Sequence, residues 1–230
     1  MTKLSLNAKK IKMAGGNTGP KQEPIEAGSY PARVVQIIDL GLQTQQPWQG
    51  QAKPPAHMIR ITYELVDEFC LDENGDELED KPRWISEDFA LLSMKAERAK
   101  STLRYNAIDP EDTSDGDFTG LIGMACNVTV VQKKSKTTGN VYNNVGGVTA
   151  VRPKDAARMA ELVNPPKVFV LDEPDLEVFQ SLPDWLQDKV KENLEYQGSE
   201  LQRALEGGQA APDPDEEEVP ENEDDQGGWV

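Results

Sequence analysis

Basic and aromatic residues recur together along this 230-residue chain. Arg33, Arg60 and Tyr63 lie in β-branched stretches, Trp48 and Lys53 in a Gln/Pro-rich loop, and Trp84 in a third β-rich run. Lys133, Lys134 and Lys136 crowd one turn, with Tyr142 just beyond it. Cationic groups bind phosphates by charge, and flat rings stack on unpaired bases at about 1–3 kcal/mol per stack. Those are the two interactions that single-stranded nucleic acid offers. Trp48, between Pro47 and Gln49, has no apolar neighbours that would explain it as core. Tyr63 and Trp84 alternate with apolar residues and fit a core equally well. Lys95, Arg98, Lys100 and Arg104 read as the solvated face of a helix.

Catalytic chemistry has little to stand on. The chain contains no GxGxxG, GxxxxGK[ST], GxSxG, HExxH or CxxC motif. His57 is the single histidine, so any Ser–His or Cys–His arrangement would have to pass through it. With only Cys70 and Cys126 beside it, it makes no zinc ligand set. Asp72, Asn74 and Asp76 have the spacing of the first ligands of a calcium loop. Glu77 stands where that loop needs Gly, however, and Arg83 where it needs Glu. The acids of 67–80 and 109–117 suit turns better than a magnesium-dependent nuclease. We expect no enzyme, no cofactor and no metal.

The net charge of −17 would argue against nucleic acid, but its distribution is uneven. Residues 1–60 hold eight Lys+Arg against three acids, whereas residues 201–230 hold one Arg against ten acids. Charge per segment is therefore the meaningful quantity. No apolar run approaches the ~18 residues of a membrane helix, and the Lys-containing N-terminus lacks the apolar stretch of a secretory signal. Two cysteines in separate apolar runs point to reduced thiols in a cytosol-like compartment.

The elements follow from periodicity and turn chemistry. A basic arm over 1–27 precedes a strand from Gly28 to Gly41. The loop 43–56 leads to a second strand, His57–Leu71, and Asn74-Gly75 turns into a third, Arg83–Leu92. Ser93 caps an expected helix to Tyr105, with Leu92, Ala96, Ala99 and Leu103 as its stripe. Leu121–Gln132 and Val141–Val151 form a hairpin around KKSKTTGN. Five strands with a helix between the third and fourth predict an α+β, mainly β domain, an OB-fold barrel over 28–151. An unrelated five-stranded α+β domain is the alternative. A helical extension over 152–206 follows, with helices over Pro153–Val163 and Asp184–Leu205, the latter broken at Gln197-Gly198 and packed through Trp185, Leu186, Val190, Leu194, Leu201 and Leu205. Residues 207–230 are expected to be a disordered acidic tail ending in an aromatic.

The stretches AGSYPARVVQIIDLG, HMIRITYELVDE and SLPDWLQDKVKENLEY (181–196), with the acidic tail, resemble the single-stranded-DNA-binding proteins of bacteria and their phages. The absence of a long Gly/Gln linker favours the phage type. The likeness covers residues 28–196 and the tail, and departs at the end, where the family has Phe and this chain has Trp229 followed by Val230. The resemblance implies a non-catalytic protein of the host cytoplasm that coats and protects single-stranded DNA during phage replication, recombination and repair. Arg33, Lys53, Arg60, Lys133, Lys134 and Lys136 would meet phosphates, and Trp48, Tyr63, Trp84 and Tyr142 would meet bases. The tail, through Asp224, Asp225, Trp229 and Val230, would recruit a polymerase, helicase, exonuclease or annealing protein. A multimeric strand-annealing accessory and an acidic DNA mimic that binds a DNA enzyme stay open, as does a homodimer.

Overall fold

The computed structural model describes residues 22–47 and 49–207. Residues 1–21 of the expected arm over 1–27, Trp48, and residues 208–230 of the expected tail over 207–230 lie outside them. The described residues form a mainly antiparallel six-stranded sheet with five helices, an α+β architecture.

Three long strands come first: β1 (Gly28–Gln43), β2 (Ala56–Leu71) and β3 (Glu77–Ala90). Helix α1 (Lys100–Ile108) and a 3₁₀ turn (Phe118–Leu121) lead to β4 (Ala125–Lys134) and β5 (Val141–Ala150). After α2 (Pro153–Ala156) come β6 (Lys167–Phe169), α3 (Leu176–Gln180), α4 (Asp184–Lys191) and α5 (Glu200–Leu205). The hydrogen-bonded path runs β3-β2-β1-β4-β5, with β6 also paired to β1. The two end strands, β3 and β5, touch one another, and α1 packs on both.

The β2–β3 connection is the Asn74-Gly75 turn, with Gly75 at φ +88°. The Asp72 carboxylate accepts the N–H groups of Asn74 (2.7 Å) and Asp76 (2.9 Å). These bonds, that from Asp76 foremost, hold its pKa below the usual carboxylate value. Strand β1 does not stop at Gly41. It passes through that residue at φ +69° and runs on to Gln43.

Two compact units divide the chain: residues up to Ile38 with His57–Val168, and Asp39–Ala56 with Phe169 onward. The division differs from the expected one, because 152–168 groups with the strands and the end of β1 groups with the C-terminal helices. The first unit's core takes Val34, Ile61, Leu65, Val128 and Val130 from the strands. Tyr105 and Phe118 meet there edge to face at 5.4 Å. In the second unit Leu186, Val190 and Leu201 are buried, and the rings of Phe169 and Phe179 lie 5.5 Å apart. Asn193 Oδ1 accepts from Leu42 N at 2.8 Å, and Gln43 Nε2 donates to Lys189 O at 2.9 Å.

Three expectations about helices need correction. Residues 93–99 form successive i→i−3 turns (Ala96 N to Ser93 O and Ala99 N to Ala96 O, both 2.8 Å), so α1 begins only at Lys100. Its buried face is Ser101, Thr102, Arg104, Tyr105 and Ile108, while Leu103 of the expected stripe is 52% exposed. The expected helix from Pro153 to Val163 is the single turn α2, which buries no residue. In the 184–205 region Trp185 and Leu194 are about half exposed.

Candidate nucleic-acid interface

Strand alternation sorts the β2–β3 residues onto two faces. Ile59 opposes Phe89, Ile61 opposes Glu87, and Tyr63 opposes Ile85; these point inward. Arg60 opposes Asp88, Thr62 opposes Ser86, and Glu64 opposes Trp84 on the outer face. Tyr63 is therefore core. It has no exposed surface, and its hydroxyl donates to Glu87 Oε1 at 3.0 Å, so the ring offers no face to a base. Trp84 does present its ring, at 41% exposure, while its Nε1 donates to Glu64 Oε2 at 3.0 Å. Arg60 Nη1 lies 2.7 Å from Asp88 Oδ1 on the same surface.

Arg33 has a different task from the expected one. Its guanidinium donates to the carbonyls of Gly123 (2.9 Å), Ala160 (2.8 Å) and Met159 (3.3 Å), and pairs with Glu161 at 3.1 Å. So engaged, it anchors the segment after α2 and is not presented to a phosphate. Glu64, which the sequence reading passed over, holds the same segment further along. Its carboxylate is 1% exposed and accepts from Val163 N (2.7 Å), Asn164 Nδ2 (2.7 Å), Asn164 N (3.3 Å) and Trp84 Nε1. A buried carboxylate without a cation needs this many donors to offset its lost hydration. Residues 163–164 thus cover the Glu64 end of the outer face and leave the Arg60 end open.

At that open end, Arg60, Ser86, Glu87, Asp88, Lys100, Asn144 and Val145 line a cleft of about 280 Å³. It joins β2, β3, α1 and β5. Glu87, whose side chain is 5% exposed, is also the centre of a charged cluster. Arg104 donates to this carboxylate through Nε to Oε1 at 2.6 Å and Nη2 to Oε2 at 3.2 Å, and Lys100 Nζ lies 2.7 Å from Oε2. Arg104 is thus buried against Glu87 instead of facing solvent. Burial, and then the Glu87 charge, pushes the Tyr63 hydroxyl well above its usual pKa. The same two causes push the Cys126 thiol up to about 12.

Along β5, Tyr142 shares the outward parity of Asn144 and stands directly opposite Lys133 on β4. Its ring is 45% exposed. Lys134 opposes Val141, and Lys133, Lys134 and Lys136 are all exposed around a tip closed by Ser135 N to Asn140 O at 2.8 Å and Gly139 N to Ser135 O at 2.9 Å. The structure therefore places Trp84, Arg60, Tyr142 and Lys133 on outward strand positions, and of these Arg60 lines the cleft. Lys53 is exposed in the second unit, and Trp48, Asp224, Asp225, Trp229 and Val230 fall outside the described residues.

No protein-family model matches this chain, and no curated protein matches it. Among the described residues, no helix is long and apolar enough to cross a membrane, and no group of three or more His, Cys, Asp and Glu residues could hold a metal ion.

Proposed function

We propose that this is a non-catalytic single-stranded-DNA-binding protein whose β1–β5 strands close into an OB-like barrel. The strand order β3-β2-β1-β4-β5, the contact between β3 and β5, and the place of α1 between the third and fourth strands support that reading. The observation that carries the function is the outer surface that runs from Trp84 through Ser86 and Arg60 to the cleft, and on through Asn144 to Tyr142 and Lys133. It sets two half-exposed rings among cations, the combination that binds unpaired strands without reading sequence. Phosphates meet Arg60, Lys133, Lys134 and Lys136, and bases stack on Trp84 and Tyr142. The protein coats strands exposed during phage DNA replication, recombination and repair. Its acidic C-terminal segment, closed by Trp229 and Val230, competes with DNA for the basic surface and recruits a replication or recombination protein.

Fluorescence anisotropy tests this, with labelled oligo-dT and a matched duplex titrated against the full chain and a 1–208 truncation. The expected result is preference for the single strand, affinity that falls with salt, and tighter binding after truncation. If neither protein binds, the proposal fails and the acidic DNA mimic takes its place.

A further inference from the structure

We infer that the cleft between β3, α1 and β5 is a backbone-phosphate subsite for single-stranded DNA, and that Lys100 supplies its accessible positive charge. The inference rests on the single-stranded-DNA reading and adds to it a residue that sequence reasoning assigned to a solvated helix face.

Charge balance is the first reason. Arg60, Lys100 and Arg104 face two carboxylates, Asp88 and Glu87, so this group carries one surplus positive charge. Arg60 and Asp88 form a close pair at 2.7 Å, and Arg104 and Tyr63 together give Glu87 three hydrogen bonds without help from Lys100. The surplus therefore resides on Lys100.

Accessibility is the second. The Lys100 side chain is 43% exposed, whereas those of Arg104 and Glu87 are 11% and 5% exposed. Its Nζ sits 5.4 Å above the Phe89 ring, which supports the ammonium group from below while its upper side faces the cleft. Helix α1 begins at Lys100 and has no acidic residue of its own in the first turn.

The surroundings supply the rest. Ser86 and Asn144 place neutral hydrogen-bonding side chains in the same cleft. A phosphate entering it draws Lys100 Nζ away from Glu87, which keeps Arg104 and Tyr63. No buried charge is left uncompensated by that exchange. Tyr142, one outward position along β5 from Asn144, is then placed to stack on an adjacent base.

The test is the salt dependence of oligo-dT binding for the full chain, Lys100→Gln, Asp88→Asn and the control Lys154→Gln, each checked for folding by thermal melting. A single-strand phosphate contact contributes about 0.7 to the slope of log K against log salt. Lys100→Gln should flatten the slope by about 0.7 and weaken binding about fivefold at 0.1 M salt. Asp88→Asn should steepen the slope and tighten binding, and Lys154→Gln should do neither. If the unmodified chain binds and neither cleft variant moves the slope, the subsite is overturned while the DNA-binding reading stands. If the unmodified chain does not bind oligo-dT, both are overturned. Should Lys100→Gln fail to fold, the Asp88→Asn slope decides.

Discussion

Replacing Glu87 by Leu removes the carboxylate that pairs with Arg104 inside the first unit. The Arg104 side chain is 11% exposed and gives two hydrogen bonds to Glu87, at 2.6 and 3.2 Å. Removing one partner of such a pair costs about 3–5 kcal/mol, because the remaining charge is left in a poorly hydrated place. Tyr63 also loses its acceptor, whereas Lys100 is exposed enough to hydrate and adds little. For a protein of this size each kcal/mol moves the midpoint by about 2–4 °C, so Tm should fall by about 6–20 °C. The double variant Glu87→Leu with Arg104→Leu removes both charges and should recover most of the loss, because an apolar pair of similar shape replaces an ion pair nearly neutrally. Thermal and urea unfolding of the wild type, both single variants and the double variant give the coupling directly. A loss below about 1 kcal/mol in Glu87→Leu, or a double variant no better than the singles, would refute the reasoning.

Three further predictions concern other parts of the molecule. The Cys126 thiol has a folded pKa of about 12 against an ordinary value of 9.0, chiefly through burial. Its contribution is thus complete below pH 9 and is lost as pH rises from there toward 12, at up to about 1.4 kcal/mol per pH unit. Cys126→Val should flatten this alkaline decline in urea-unfolding stability, although the raised Tyr63 still contributes; an unchanged decline would count against the assignment. Gly41→Ala should destabilise the second unit by at least about 2 kcal/mol, since φ is +69° and the new Cβ would lie 2.4 Å from Asn193 Cγ. A Tm within 1 °C of wild type would contradict that. Arg33→Met should speed amide hydrogen exchange across 156–164 at least tenfold, because charge-assisted hydrogen bonds of about 1.5–3 kcal/mol tie that segment down. Unchanged exchange there would mean that Arg33 is not its anchor.

The strands were legible in the sequence because β-branched runs bounded by Gly and Asn-Gly leave few alternatives, and parity alone already grouped Tyr63 with Ile59, Ile61 and Leu65 as an inward face. Assigning Tyr63 to bases set that signal aside. The start of α1 was not legible. Its buried side is decided by Arg104 meeting Glu87 seventeen positions earlier, and an apolar stripe cannot register a charged pair. Arg33 and Glu64 were opaque for the same reason at longer range: apart from Trp84 beside Glu64, their partners lie 90–128 residues away, and most are backbone groups that carry no sequence signal. The basic hairpin and Trp84 were legible as candidates, since both are local features. The cleft lined by Arg60, Lys100 and Asn144 was not, because it needs the β3–β5 contact.

The most direct measurement is ultraviolet crosslinking of the full chain to oligo-dT, followed by mass spectrometry of the crosslinked peptides. The account predicts crosslinks on the peptides that carry Tyr142 and Trp84, and none on Tyr63 or Tyr105, whose rings are buried. Crosslinks confined to other surfaces, or none at a concentration where anisotropy reports binding, would contradict it.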